Sequence, residues 1–420
     1  MRFLLATLGS TGDVYPFLAL GSGLRRAGHR VTLLASPRHQ ADAALAQLDF
    51  APVPPAGPEP DLNALVARML EKPTRLEQLD VLYAGLAPTF GPLLDETMAR
   101  LPEHDALVTS YLFPFLKNAA RAARRPSATL VFCPNNLPNA AAGPEDAPDP
   151  PAWAPKFFRQ IHHRLAWKIG EKLLDQVVQH HAGAALQSRG LGKFHGFLRD
   201  PADRALVAVS HALFPPPGPP PDNYLYTGFL RWQPPADERA AADLAAVRAL
   251  EQTGAPLPVL TLGSMAPAAA REIFSRLLAA WPKGAPLVVQ SGWAGWQNDP
   301  QRLEVLVIGA VPHDQLFAHA TVIIHHGGSG TTASALHAGR PQIIIPHLGD
   351  QFYWARSMQA LGVAKVLDRH TWPESLRESL EGILRDVAVV RRVTECATRV
   401  RAEDGAAQAV FALEKMAQAQ

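Results

Sequence analysis

The chain has 420 residues, of which 47% are hydrophobic and 19% charged, and its net charge is +2. That length provides core for two ordinary domains, and a near-neutral balance with scattered arginines and few aromatics gives no reason to expect a nucleic-acid partner. Two distant cysteines, Cys133 and Cys396, form neither a disulfide framework nor a zinc pattern, so a reduced, cytoplasmic setting is expected, and no stretch approaches the ~20 apolar residues of a spanning helix.

Residues 3–8 read as a buried-type strand rather than a leader, because the apolar run is short and passes directly into Gly9-Ser10-Thr11-Gly12. Residues 16–27 read as a helix, with Pro16 early and Gly28 just past its end. Residues 30–35 are the next strand. Strand signals return at 106–109 and 128–132, with a helix around 115–123 between them, and such alternation implies a parallel, doubly wound sheet. The Pro- and Asn-rich stretch 135–155 is a long loop of the kind that is often functional.

Residues 156–186 read as one helix. In it Phe157, Phe158, Ile161, Leu165, Ile169, Leu173, Leu174 and Val177 recur at mostly helical spacing. They form either one stripe buried against the domain, or a face that lines an acceptor cleft or touches a membrane surface. The pairs His162-His163 and His180-His181 point to different faces, so solvated surface is expected there rather than a metal site. The run Phe214 to Pro221 is a stiff, extended connector. It divides the chain into an amino-terminal domain over 1–214, a linker over 215–235 and a carboxyl-terminal domain over 236–400. A terminal helix over 401–420 is available to pack back on the first domain. In the second half strands are expected at 259–262, 287–290, 305–308, 320–324 and 342–345, with a helix at 268–281 and helices from 372 onward. Two βαβ domains make the cleft between them the natural ligand site.

Two places at strand ends carry chemistry. The first is His325-His326-Gly327-Gly328-Ser329-Gly330-Thr331-Thr332, a glycine-rich turn between a strand and a small-residue helix. Backbone N–H groups and the positive end of the helix dipole, roughly half an elementary charge, suit a phosphate there. His326 adds a donor that can become cationic. The bland reading is a tight turn with no ligand. One strand later comes a polar pair, Asp350-Gln351, suited to sugar hydroxyls, and together the two suggest a nucleotide-sugar site. The second place is the end of the first strand, where Asp13 is either a general base, strengthened by partial burial, or a helix N-cap. The two roles coexist only if one carboxyl oxygen remains unengaged. Ser10, Thr11 and Gly12 at the same edge are counted among the expected phosphate contacts.

Gly9-Ser-Thr-Gly-Asp-Val-Tyr-Pro16 with Gly28-His-Arg-Val31 resembles the amino-terminal signature of family 1 glycosyltransferases, in the bacterial and fungal branch of sterol glucosyltransferases, antibiotic glycosyltransferases and rhamnolipid rhamnosyltransferases. Val311-Pro-His-Asp-Gln-Leu316, the His-His-Gly-Gly-Ser-Gly-Thr-Thr turn, Gly339-Arg-Pro341, Pro346 and Gly349-Asp-Gln351 resemble that family's donor-binding signature. The resemblance implies an α/β GT-B fold, two Rossmann-like doubly wound domains facing an interdomain cleft. It implies metal-independent, inverting transfer of a hexose from a UDP- or dTDP-sugar to a hydroxyl of a small, lipophilic acceptor, with no cofactor beyond the nucleotide-sugar co-substrate.

By matching positions, Asp13 is the base, and His326, Gly328, Ser329, Gly330 and Thr331 bind the diphosphate together with Ser264. Asp350 and Gln351 bind the sugar, and Val311 lies near the nucleobase. Plant members carry His at the base position, with an orienting carboxylate where Ser110 stands here, and a base-stacking Trp where Ala310 stands. Trp293 is an alternative platform for the base, or a rim or core tryptophan. Closure about the Pro-rich connector would exclude water. Contact with a membrane would be peripheral at most. The rival readings are a nucleotide-sugar epimerase on the same fold and a non-catalytic nucleotide-sugar-binding protein.

Overall fold

A computed structural model describes residues 1–57, 60–151, 153–216, 218–263 and 270–419. The chain divides into two compact units, Met1–Asp61 with Lys72–Trp232 and Glu403–Gln420, and Leu62–Glu71 with Gln233–Ala402.

The first unit is built on seven parallel strands among the described residues: β1 (Arg2–Ala6), β2 (Arg30–Ala35), β3 (Asp49–Pro52), β4 (Ala106–Ser110), β5 (Ser127–Val131), β6 (Arg204–Val207) and β7 (Tyr224–Tyr226). Their order is β3-β2-β1-β4-β5-β6-β7. The central strands β4 and β5 are buried throughout, as is β1 from Phe3 onward. Helices therefore cover both faces, which is why these strands read as continuous apolar runs. The strand order reverses between β1 and β4, and that switch point is where open α/β sheets take ligands.

Three helices of this unit differ from the sequence expectation. Helix α1 (Thr11–Arg26) starts five residues before Pro16, with Ser10 as its N-cap. Proline in its second turn removes only the bond to the carbonyl of Gly12, and Gly12 is exposed to water. Helix α2 (Arg75–Arg100) was not expected. Pro88 and Pro92 interrupt its pattern, while Thr74 and Glu77 cap its start reciprocally. Helix α3 (Lys156–Gln187) packs against α2. Most of its stripe is not the buried face: Phe157, Phe158, Ile161, Leu165, Ile169 and Leu173 are exposed, Leu174 and Val177 are half-buried, and His163, Trp167, Val178, Ala182, Gly183 and Leu186 are the buried positions. The histidine pairs are likewise not simply solvated. His163 is buried, and His181 Nε2 lies 2.8 Å from Asp80 Oδ1. The stretch 215–235 is not connector alone, since Tyr224–Tyr226 forms the edge strand β7 beside β6. Prolines lie just outside that short alternating segment, where no ladder N–H is needed.

The second unit holds six parallel strands among the described residues: β8 (Pro258–Thr261), β9 (Leu287–Gln290), β10 (Val305–Ile308), β11 (Val322–His325), β12 (Gln342–Ile344) and β13 (Ala364–Val366). They run in the order β10-β9-β8-β11-β12-β13, so this switch point lies between β8 and β11. Helix α4 (Ser329–Ala338) follows β11 and helix α5 (Gln351–Ala360) follows β12. Helices α6 (Trp372–Arg385) and α7 (Val387–Arg401) follow β13. Val66 and Leu70, from the segment Leu62–Glu71, pack on the core formed by Trp281, Trp296 and Trp372. That segment departs from the expected 1–214 domain.

The last helix, α8 (Gly405–Gln418), groups with the first unit and lies on α1. A Cβ on Gly23 would stand 3.2 Å from Ala406 Cβ and 3.4 Å from Val410 Cγ2, so glycine permits this approach. His29 Nε2, 2.7 Å from Glu414 Oε1, pins the far end. Among the described residues no helix is long and apolar enough to cross a membrane.

Candidate active site

At the first switch point the chain leaves β1 and turns through Gly9 into α1. Gly9 has φ +126°, and a Cβ there would lie 2.3 Å from Asp13 Oδ2. Both facts require glycine. Asp13 is the third residue of α1 rather than its N-cap. Ser10 donates to Asp13 Oδ2 through its backbone N–H at 2.7 Å and its hydroxyl at 3.0 Å. Asp13 is thus not the N-cap expected but caps from the third helical position, and both donors of Ser10, expected on phosphate, are directed at its carboxylate. Thr11 and Gly12 are exposed in the same first turn, which already carries an anion of its own. Among the described residues no donor reaches Asp13 Oδ1, so capping through one oxygen leaves the other for chemistry. Burial raises the Asp13 pKa above 3.8, opposed by the Ser10 hydrogen bonds and by His39 and Arg38.

Arg38 and His39 escaped the sequence reading. Arg38 Nη2 donates to Gly9 O at 2.8 Å. His39 is buried, with Nε2 3.4 Å from the same carbonyl and Nδ1 3.2 Å from Asp42 Oδ2. Their signal was position: Ser36-Pro37-Arg38-His39 follows β2, the neighbour of β1, at the same carboxyl edge. Ser110, at the end of β4, is wholly buried and its Oγ accepts the Leu112 N–H at 3.3 Å.

At the second switch point β11 ends in His325. Its Nε2 donates to Gln342 Oε1 at 2.9 Å and its Nδ1 accepts the Gly327 N–H at 3.1 Å, partners that assign the neutral tautomer. Burial holds its pKa down at about 4. This ring fixes the turn. Gly327 (φ +90°) has no space for a Cβ, which would meet Ile344 Cγ2 at 2.9 Å and Gln351 O at 3.1 Å.

His326, 8% exposed, lies between two glycines. A Cβ on Gly328 would meet its Nε2 at 2.5 Å, and one on Gly263 would meet its Cε1 at 3.1 Å. Its buried Nδ1 has no hydrogen-bond partner among the described residues. Burial, reinforced by His325, His347 and His313, pushes its pKa well below 6.5. The expected cationic donor is therefore corrected to a neutral imidazole.

Helix α4 starts at this ring. Gly328 is the N-cap and the first turn holds no acidic residue. Thr332 N–H is the first to bond back, to Gly328 O, so the N–H groups of Gly330 and Thr331 have no partner within the helix. Gly330 is exposed and Thr331 largely buried.

The remaining expected residues surround that helix start. Ser264 lies outside the described residues. The preceding Gly263 accepts the Trp293 N–H at 3.1 Å, which holds the half-buried Trp293 at the end of β9. Val311 is a core residue, and its carbonyl accepts Gln290 Nε2 at 2.8 Å. Any contact of Val311 with a base would therefore use other atoms. Asp350 holds the N-cap position of α5, partly exposed. Gln351 is buried, and its Oε1 accepts the N–H groups of His347 at 2.8 Å and Leu348 at 3.2 Å. That oxygen orients the loop. Among the described residues no three His, Cys, Asp or Glu side chains are grouped to hold a metal ion.

Two doubly wound parallel sheets, one ending in a half-engaged aspartate and the other in a helix start without an acidic residue beside a buried histidine, define an α/β protein. Residues 3–80 match the glycosyltransferase family 28 N-terminal domain, and residues 298–414 the erythromycin biosynthesis protein CIII-like C-terminal domain. Glycosyltransferase GtfE of Amycolatopsis orientalis is 30% identical over 97% of this chain and 96% of its own length. The sterol 3-beta-glucosyltransferase of Neosartorya fischeri is 26% identical over 98% of this chain, which spans 29% of that relative's length. The Streptomyces sp. SF2575 glycosyltransferase SsfS6, complexed with thymidine diphosphate, shares the fold at a TM-score of 0.68, with 18% identity over 99% of each chain. The chain belongs to the GT-B family 1 glycosyltransferases, in the branch of antibiotic glycosyltransferases and sterol glucosyltransferases.

Proposed function

We propose that the protein moves a hexose from a nucleoside diphosphate sugar to a hydroxyl of a small lipophilic acceptor, with inversion at the anomeric carbon and without a metal ion. The observation that carries this reading is the start of α4, where outward N–H groups, no carboxylate and the buried His326 converge. The α- and β-phosphates bind there. As the bond from the anomeric carbon to the β-phosphate oxygen breaks, the developing charge falls on N–H donors and on a neutral imidazole. Preorganised donors of this kind are worth about 10²–10³ in rate each. Asp13 takes the acceptor proton on Oδ1 while Ser10 steadies Oδ2, and the acceptor oxygen bonds to the anomeric carbon on the face opposite the leaving diphosphate. Asp350 hydrogen-bonds the sugar hydroxyls, and Gln351 holds the loop that presents it.

A thymidine diphosphate donor is supported by SsfS6, which is complexed with thymidine diphosphate. The sterol 3-beta-glucosyltransferase of Neosartorya fischeri supports an acceptor of sterol type. The test is turnover of dTDP- and UDP-glucose against an acceptor library in the presence of EDTA, with the anomeric configuration of the product read by NMR. A retained configuration, or loss of turnover that added Mg²⁺ restores, defeats the mechanism. An epimerised donor in the absence of acceptor establishes the epimerase instead.

A further inference from the structure

Helix α3 is apolar on two sides, and only one of them is covered. Inward, Trp167 and Val178 are buried, and Trp167 Nε1 donates to Ala142 O at 2.8 Å. Outward, Phe157, Phe158, Ile161, Leu165, Ile169 and Leu173 follow one another at steps of one to four residues for about four turns, and each is between 41% and 66% exposed. Trp153, just ahead of the helix, is 84% exposed. A helix hydrophobic on both sides is expected to be covered on both, and an apolar stripe of this size on a surface marks an interaction site.

The charges beside it say what covers it. Lys156, Arg159, Arg164, Lys168 and Lys172 occupy the same stretch, and none of them is ion-paired among the described residues. The neighbouring carboxylates do not pair with them: Glu171 holds Arg199, Asp175 accepts the N–H groups of Gly196 and Phe197, Glu145 and Asp146 lie at Arg75, and Asp149 lies 3.6 Å from His163 Nε2. Five uncompensated cations thus flank the stripe in a chain whose net charge is only +2. A second copy of the chain would bring the same five cations and be repelled. An interface of anionic headgroups over hydrocarbon matches both features, and tryptophan and phenylalanine favour that boundary. We propose that this face of α3 seats the protein on an anionic membrane surface, its apolar side chains among the upper acyl chains and its cations at the lipid phosphates. The seat lies in the layer where lipophilic alcohols partition, and it stands whether or not the transfer chemistry does.

The full chain is to be sedimented with vesicles of phosphatidylcholine alone and of phosphatidylcholine with phosphatidylglycerol. Binding to the mixed vesicles, weaker by about tenfold on neutral vesicles or at high salt, is expected. F157S/L165S and K168E/K172E should each lose about tenfold in vesicle affinity while keeping the melting temperature and nucleoside diphosphate affinity of the parent. A blue shift of intrinsic fluorescence on mixed vesicles, absent in Trp153→Phe, gives a reading that does not depend on those variants folding. Failure to bind mixed vesicles overturns the proposal, as does binding that both double variants leave intact. A solution dimer that F157S/L165S converts to monomer, with vesicles ignored, also overturns it and assigns the stripe to a second copy.

Discussion

The two switch points have the same topology and opposite electrostatics. In each, a strand passes through a glycine-containing turn into a helix at the reversal of strand order. Counted from the N-cap, α1 begins Ser10-Thr11-Gly12-Asp13 and α4 begins Gly328-Ser329-Gly330-Thr331. At the third helical position the first unit carries a carboxylate and the second a hydroxyl. The dipole of α1 is answered from within, by Asp13 bonded to Ser10; that of α4 is left for an anion from outside. Under the proposed mechanism, one position therefore turns the same structural element into a base-holder in one unit and an anion-holder in the other.

The largest effect should come from removing the internal anion. Asp13→Asn keeps an oxygen for the Ser10 donors but cannot take a proton. Turnover should fall by about 10²–10⁴, with nucleoside diphosphate affinity unchanged by calorimetry. Turnover close to the parent's would mean that another group is the base. Next comes His326→Ala, which removes the imidazole between Gly263 and Gly328. Rate should fall by about 10²–10³. Because burial pushes the His326 pKa well below 6.5, the pH dependence of diphosphate affinity near 6.5 should be the ligand's own and the same in the parent and in His326→Ala, and a limb present only in the parent would contradict that burial. The comparison itself is broken by Thr331→Asp, which gives α4 the carboxylate that α1 has. Diphosphate affinity should drop by about tenfold or more, since a like charge would occupy the helix start. Undiminished affinity would show that the phosphate binds elsewhere.

The strands were legible because parallel sheets covered on both faces need long apolar runs, and β2, β9 and β10 lie at their expected bounds. The glycine-rich turn was legible because positive φ and close approach restrict Gly327 to glycine. What escaped was set by neighbours rather than by spacing. Pro16 hid the start of α1, although a proline whose missing bond faces water does not end a helix. Periodicity in α3 reported a face and could not say whether anything lies on it. Arg38 and His39 reach Gly9 only because β2 pairs with β1, a pairing that belongs to the sheet and not to the sequence around either residue. The charge state of His326 required its burial to be known.

The smallest predicted effect bears on why the internal anion is tolerated. Burial raises the Asp13 pKa above 3.8, and burial outweighs the Ser10 hydrogen bonds and the Arg38 and His39 charges that oppose it. A carboxyl whose folded pKa exceeds its unfolded value favours the folded state below the unfolded value, and loses that contribution as pH rises through the folded one. Asp13→Asn does not titrate. The melting temperature of the parent relative to the variant should therefore be greatest in acid below 3.8 and fall as pH rises past the elevated value, leaving the variant at least as stable near neutrality. The acid limb of kcat/KM in the parent should lie above 3.8 for the same reason, because only the ionised carboxylate accepts a proton. A parent that gained stability over the variant with rising pH would mean that Ser10 outweighs desolvation. Asp13 would then be an ordinary capping carboxylate, and the contrast between the two helix starts would lose its catalytic meaning.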